Sequence, residues 1–186
     1  MKLKVLVISD THGSVTSWRK IENLAKEVDE IFHLGDVLYH GPRNPLPEGY
    51  SPGELAEELK KYNIKYIRGN CDADVDLKVL GLPEMPRQII EFFGKYRFMM
   101  LHGEIVENDG VDLVEFARFH KVDVMLHGHT HIPSIMEKRG VIIANPGSLS
   151  LPKSKSSQSY MVLDVADFLK ITIFTIEGNE VFSKVL

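Results

Sequence analysis

The sequence predicts an α/β protein in which two β-sheets stack face to face and helices cover their outer sides. Three observations lead there. Early in the chain, short apolar runs of strand length alternate with stretches whose apolar residues recur every three or four positions. After Pro83 the pattern changes to paired apolar runs around short glycine-containing turns, which reads as hairpins. Five strand ends, finally, run into glycines and side chains of metal-binding type, as expected where ligands gather at the carboxyl ends of strands.

The apolar run at 5–9 ends in Asp10 and reads as the first strand. Val15, Trp18, Ile21, Leu24, Ala25 and Val28 then recur at helical intervals, which predicts an amphipathic helix over 15–29 with Trp18 as a packing anchor. A second strand at 31–34 stops at Gly35, where the backbone can turn so that Asp36 projects from the strand end. The following loop, 37–50, contains Pro42, Pro45 and Pro47, and a stiffened loop of this length is uncommon without a function. Ser51 reads as the N-cap of a second helix, with Pro52 at its first position and Glu54 completing a capping box. That helix turns Leu55 and Leu59 inward and stops near Asn63. A strand over 65–68 delivers Asn70, and 73–87 reads as a loop. Strands at 88–93 and 96–101 flank a turn at Gly94-Lys95 and open a second, antiparallel sheet. A helix over 109–120 carries Val111, Val114 and Ala117, and a strand at 122–126 leads to His127. A hairpin of 132–138 with 141–144 and strands at 160–165, 171–176 and 180–185 complete the chain; 153–159, rich in serine and lysine, reads as an exposed loop.

At 186 residues the chain is expected to form one domain, 1–186, with a sizeable core. Its 44% hydrophobic and 26% charged residues exclude disorder as an account of the whole. A net charge of -4 argues against sequence-independent binding of long nucleic acid, which needs a basic stripe to displace counterions. Cys71 is the one cysteine, so there is neither an intramolecular disulfide nor a cysteine zinc knuckle, and any metal is held by nitrogen and oxygen. The apolar start is too short for a signal peptide, and no stretch approaches the roughly 20 residues that span a bilayer. A cytoplasmic protein without a membrane partner is the expectation.

The five strand ends carry, in order, Asp10-Thr11-His12, Gly35-Asp36, Gly69-Asn70-Cys71-Asp72, His102-Gly103 and Gly128-His129-Thr130-His131. An acid or histidine in one turn is ordinarily a surface residue; five such motifs in order are strong evidence. Together they resemble the signature of the calcineurin-like metallophosphoesterases. Ser9 to Ser14, Gly35 to Asn44 and Asn145-Pro146-Gly147-Ser148 are most similar to the YfcE-type phosphodiesterases within that superfamily. The resemblance implies an αββα four-layer sandwich of mixed sheets and a phosphoric diester hydrolase that cleaves small phosphodiesters with a hydroxide bridging two metal ions. It implies Asp10, His12 and His131 at one ion, Asn70, His102 and His129 at the other, and Asp36 shared between them. Asp36, Asn70 and His102 are then also the expected catalytic residues.

The residue types suit that chemistry. A phosphodiester resists hydrolysis because its charge repels hydroxide and its alkoxide leaves poorly; two divalent ions about 3.5–4 Å apart relieve both problems. Two carboxylates, one amide and four imidazoles without a thiolate suit manganese, with nickel, cobalt, iron and zinc as further candidates, rather than calcium. His129 and His131, one residue apart, would in extended backbone point the same way, one to each ion.

His40, Arg43 and Asn44 in the long loop, with Cys71, are the expected substrate contacts; Arg43 supplies a charged fork that suits phosphate. Cys71 stands where many members of the superfamily carry the histidine assigned as general acid, and a thiol titrates well above imidazole. Good leaving groups, or a proton drawn from water or His40, are therefore expected. Asp72 is expected to orient its neighbours. His33 reads as a core histidine, His120 as a helix-end surface residue, and His127 as either structural or an orienting partner.

Two alternatives stay open: a scaffold, since the superfamily includes a retromer subunit that acts chiefly as one, and a phosphomonoesterase. A protein phosphatase would continue from the Gly-Asp motif to Asp-Arg-Gly, and a nuclease would usually add a capping domain. An exposed sheet edge would suit a homodimer.

Overall fold

Residues 2–186 are described by a computed structural model. The first strand, β1 (Leu3–Ile8), lies parallel to β2 (Glu30–His33), and β2 lies parallel to β3 (Ile64–Tyr66). Helix α1 (Val15–Ala25) joins the first pair and α2 (Pro52–Leu59) the second. After α3 (Asp74–Leu80) the chain enters a second sheet through the hairpin of β4 (Gln88–Phe93) and β5 (Tyr96–Leu101). Helices α4 (Ile105–Asp109) and α5 (Leu113–Phe119) lead to β6 (Val124–Leu126), followed by the hairpin of β7 (Ser134–Lys138) and β8 (Val141–Asn145). β9 (Ser159–Val165), β10 (Leu169–Thr175) and β11 (Glu180–Val185) return antiparallel to the first sheet. The strand orders are β11-β10-β9-β1-β2-β3 and β4-β5-β6-β8-β7.

Burial explains the stacking. Val5, Val7, Phe32, Leu34 and Ile67 of the first sheet share one core with Phe98, Met100, Val124, Leu126 and Ala144 of the second. Leu6, Ile8, Ile31 and Ile64, on the other face of the first sheet, pack beneath Trp18, Leu55 and Leu59 of α1 and α2. Met99, Met125 and Ile143 do the same beneath Val114 and Ala117 of α5. The apolar runs of β1 and β6 are therefore buried on both sides, which is why they do not alternate. Each fully buried large apolar side chain contributes roughly 1.5–3 kcal/mol relative to exposure, so the strand ends are fixed by the most stable part of the molecule. The result is the four-layer αββα sandwich of mixed sheets.

Several local expectations are corrected. The second sheet is not antiparallel throughout: β6 pairs parallel with both β5 and β8. α1 ends at Ala25 because the N–H groups of Lys26 and Glu27 bond to carbonyls three residues back, tightening the last turn. Ser51 makes no side-chain cap, and Glu54 instead pairs with Arg19 at 2.6 Å. The stretch 73–87 is not all loop, since α3 forms with Asp74 and Asp76 in its first turn and the Asp76 carboxylate accepting from the Ala73 N–H at 2.9 Å. The helix expected over 109–120 is broken by Gly110, which closes α4 in a left-handed conformation. Asp112 then opens α5 by accepting from the N–H groups of Val114 (2.8 Å) and Glu115 (3.3 Å).

Candidate metal centre

The loops after β1, β2, β3, β5 and β6 meet at one edge of the sandwich, and there the structure brings all seven predicted ligands together. His131 Nε2 lies 3.2 Å from Asp10 Oδ1 and 3.2 Å from His12 Nε2, while His12 Nε2 lies 3.8 Å from Asp36 Oδ2. On the other side of Asp36, His102 Nε2 lies 3.4 Å from Oδ2 and 3.2 Å from Asn70 Oδ1. The His129 and His102 rings are 5.2 Å apart between centroids. Asp36 thus stands between two groups, Asp10–His12–His131 and Asn70–His102–His129.

The histidine tautomers follow from their second nitrogens. Nδ1 of His12, His102 and His131 lies 2.8, 2.7 and 2.5 Å from the carbonyl oxygens of Tyr39, Leu34 and Leu151. A carbonyl only accepts, so each Nδ1 carries a proton and each Nε2 is left to face the carboxylates, with a lone pair wherever the ring is neutral. Asp10 Oδ1 is buried among these atoms and has no hydrogen-bond donor. Lone pairs converging on a buried carboxylate oxygen repel one another unless a cation sits between them. The donor set therefore fits divalent cations.

The electrostatics express the same demand. Burial works against charge on Asp10 and Asp36, yet the surrounding histidines outweigh it and hold both carboxylates below their ordinary range. Burial likewise opposes charge on His102, but Asp36 and Asp10 prevail and push it up to about 10. Two carboxylates this close to neutral imidazoles call for positive charge, and His102 accepts it as a proton where no metal provides it.

Backbone strain marks the site as well. Nine non-glycine residues have positive φ among the described residues, and five of them are predicted ligands: Asp10, His12, Asp36, His129 and His131. Such conformations persist where the surroundings over-determine them, characteristically at functional sites. His129 and His131 are accordingly not in extended backbone, and the alternation argument for their shared direction is replaced by two left-handed turns. Two glycines give the ligands room. A Cβ on Gly69 would run into the Asp36 carboxylate, and one on Gly128 into Ser9 Oγ.

A second ring of groups holds the ligands. Asp72 accepts the N–H groups of Asp36, Val37 and Gly69, each at 2.8 Å, and so ties the second ligand loop to the third. Burial and the neighbouring Asp36 charge push Asp72 up to about 6 despite those donors. The Cys71 N–H donates to Asp36 Oδ1 at 2.8 Å, leaving Oδ2 for the histidines. Ser9 donates to Asp10 Oδ2 (2.6 Å), and Ser148 and Ser150 both donate to the Asp10 carbonyl (2.7 and 3.1 Å). Asn145 donates to the Gly128 carbonyl at 2.7 Å and to Thr130 Oγ1 at 3.0 Å. Sequence reasoning marked Asn145 and Ser148 as motif residues without giving them a task; buried polar residues beside Pro-Gly were the available signal. Burial lowers His127 to about 4, and its Nδ1 lies 3.1 Å from the Gly128 carbonyl.

The centre opens into a cavity of about 520 Å³, lined by Asp36, Asn70, His129 and His131 and also by Arg43, Asn44 and Cys71. The Asn44 amide donates to the His40 carbonyl at 2.9 Å, which folds the loop on itself. His40 does not line the cavity; its ring packs between Tyr39 and Tyr50. Burial and the Asp36 charge raise the Cys71 thiol far above its ordinary value, so it stays protonated and a weak acid.

The sequence model of the calcineurin-like phosphoesterase superfamily domain matches residues 3–167. Phosphodiesterase YfcE of Escherichia coli strain K12 is 38% identical over 168 aligned residues, which cover 87% of this chain and 88% of that one. The solved structure of the E. coli YfcE phosphoesterase superposes with a TM-score of 0.85 and 30% identity over 98% of each chain. Vps29 from Entamoeba histolytica, solved with zinc, superposes with a TM-score of 0.68 and 21% identity over 99% of this chain and 98% of that one, a likeness of fold.

Proposed function

Because the chain belongs to the calcineurin-like phosphoesterase superfamily, we propose that it is a phosphodiesterase with a dinuclear metal centre, cleaving small phosphodiesters in the cytoplasm. The observation that carries this reading is the convergence of three imidazole Nε2 atoms on Asp10 and Asp36, with Asp10 Oδ1 left without a donor. Asp10, His12 and His131 would hold one ion, Asn70, His102 and His129 the other, and Asp36 both. Bound there, two divalent ions, manganese first among the candidates, would lower the pKa of a shared water and neutralise phosphoryl charge.

The remaining work belongs to the chain. Asp36 is turned by the Cys71 N–H so that one oxygen faces both histidine groups. Asn70 presents an amide oxygen beside His102 at the cavity floor. Arg43 and Asn44 border the space a phosphodiester would fill, with the Arg43 fork matching two phosphoryl oxygens. Cys71 supplies no useful acid, so the reading favours substrates whose leaving group departs without a proton, such as phenolates.

The test is hydrolysis of bis(p-nitrophenyl) phosphate by protein reconstituted with each metal in turn. Asp36→Asn and Asn70→Ala are expected to lower kcat by at least about 10²-fold with circular dichroism unchanged. Inactivity with every divalent metal would favour the scaffold reading that the Vps29-like fold suggests, and a preference for p-nitrophenyl phosphate would favour a phosphomonoesterase.

A further inference from the structure

The cavity has more room than a phosphoryl group needs. Its volume of about 520 Å³ falls in the range, roughly 300–1,000 Å³, of sites that enclose an entire small ligand. Beyond the ligand residues its wall includes Val106, Leu113 and Lys153. Val106 and Leu113 offer apolar contact to an organic group. Lys153 is exposed and offers charge.

Lys153 comes from the stretch that the sequence presents as a surface loop, but it is built onto the metal centre. Its N–H donates to the His131 carbonyl at 3.2 Å, while His131 Nδ1 donates to the Leu151 carbonyl at 2.5 Å. The strand of chain carrying the lysine is therefore clasped at two points to a predicted ligand. The next two residues, Ser154 and Lys155, both adopt left-handed backbone, with φ of 55° and 61°. Ser156 turns back, and its N–H and hydroxyl donate to the Lys153 carbonyl at 3.0 and 2.6 Å. Two successive non-glycine residues in that region make a tight turn that closes directly behind Lys153.

Resting on the reading of this cavity as a phosphodiester site, we infer that Lys153 determines specificity by selecting substrates whose ester group carries a second phosphate. The reacting phosphoryl would lie at the floor, against the ions that Asp36, Asn70 and the histidines would hold. Lys153 stands exposed at the wall, where its ammonium meets atoms beyond that phosphoryl. Val106 and Leu113, on the same cavity wall, offer apolar contact to the organic part of such a substrate. A nucleoside bisphosphate ester has this layout.

The experiment is titration calorimetry of the full-length, manganese-loaded protein with thymidine 5′-phosphate and thymidine 3′,5′-bisphosphate, which differ only in the remote anion. Wild type is expected to bind the bisphosphate about three- to fivefold more tightly at low salt, the scale of an exposed ion pair, and less so at high salt. Lys153→Met is expected to bring the ratio near one and Lys153→Arg to retain it. The inference is overturned if wild type shows no preference, if Lys153→Met keeps it, or if neither ligand binds. It is also overturned if Lys153→Met weakens both ligands equally, which would put the lysine on the metal-bound phosphate. Turnover of bis(p-nitrophenyl) phosphate by the same preparations judges the phosphodiesterase reading separately, because the binding ratio does not depend on catalysis.

Discussion

The His33 imidazole is fully buried, and both of its nitrogens have fixed partners. The Thr11 hydroxyl donates to the Val37 carbonyl at 2.8 Å, so its contact with His33 Nε2 at 2.9 Å has the ring as donor. Nδ1 in turn accepts from the Gly35 N–H at 3.2 Å. The ring is thus neutral and holds the first two ligand loops in register, and burial lowers its pKa to about 3. In an unfolded chain it would titrate near 6.5. Between those values the unfolded state binds a proton that the native state refuses, so stability rises with pH across the window and is lost as pH falls below about 6.5. The slope from this one group approaches roughly 1.4 kcal/mol per pH unit. We expect urea unfolding of the metal-free protein at pH 6.5, 5.5 and 4.5 to show this loss, and His33→Gln, which keeps a donor and an acceptor, to flatten it. Equal slopes in the two proteins would mean that other groups set the acid limit.

Among the elements, β8 and the turn after it do the least visible work. The strand is buried along its whole length, and Asn145 at its end reaches back to the Gly128 carbonyl and Thr130, on either side of the left-handed His129. Asn145→Asp keeps the shape but removes the NH2 donor. It is expected to weaken binding of manganese about 10- to 100-fold by calorimetry, the usual cost of losing an orienting partner. Leu59→Ala, in the core under α2, is expected to cost about 2–5 kcal/mol of stability and leave metal affinity unchanged. The contrast separates positioning from packing, and weaker metal binding in both variants would refute it. The same scale shows where sequence was a poor guide. α3 hides in Asp74–Leu80 because Val75 and Val79 face solvent and only Asp76 and Leu80 are buried, so no apolar stripe announces it. The break at Gly110 lay inside an apparently continuous pattern, and only the cap at Asp112 reveals two helices.

For the molecule as a whole, the sandwich was legible because its central strands are continuous apolar runs that stop at glycines and candidate ligand residues. The seven candidate ligands were legible as a set because their side-chain types recur in order, and the structure brings them to one edge of the sandwich. What sequence did not reveal is how they are held: the carbonyls of Tyr39, Leu34 and Leu151 that fix the tautomers come from unrelated points of the chain and carry no side-chain signature. Those backbone anchors make the centre a property of the folded state alone, since an unfolded chain has no way to hold five separate loops together. Metal binding must then stabilise the fold by mass action. At a hundredfold excess over Kd each site adds about 2.7 kcal/mol, and each kcal/mol raises Tm by about 2–4 °C in a chain of this size. Two filled sites are expected to raise Tm by on the order of 10 °C over chelator-treated protein, with two manganese ions bound per chain by elemental analysis. Asp36→Asn, which weakens the residue shared by both groups, is expected to lose most of that rise, whereas substitution of His129 removes a ligand from one group and spares the other. A Tm indifferent to chelator, or one ion per chain in the wild type, would contradict a centre built around a shared carboxylate.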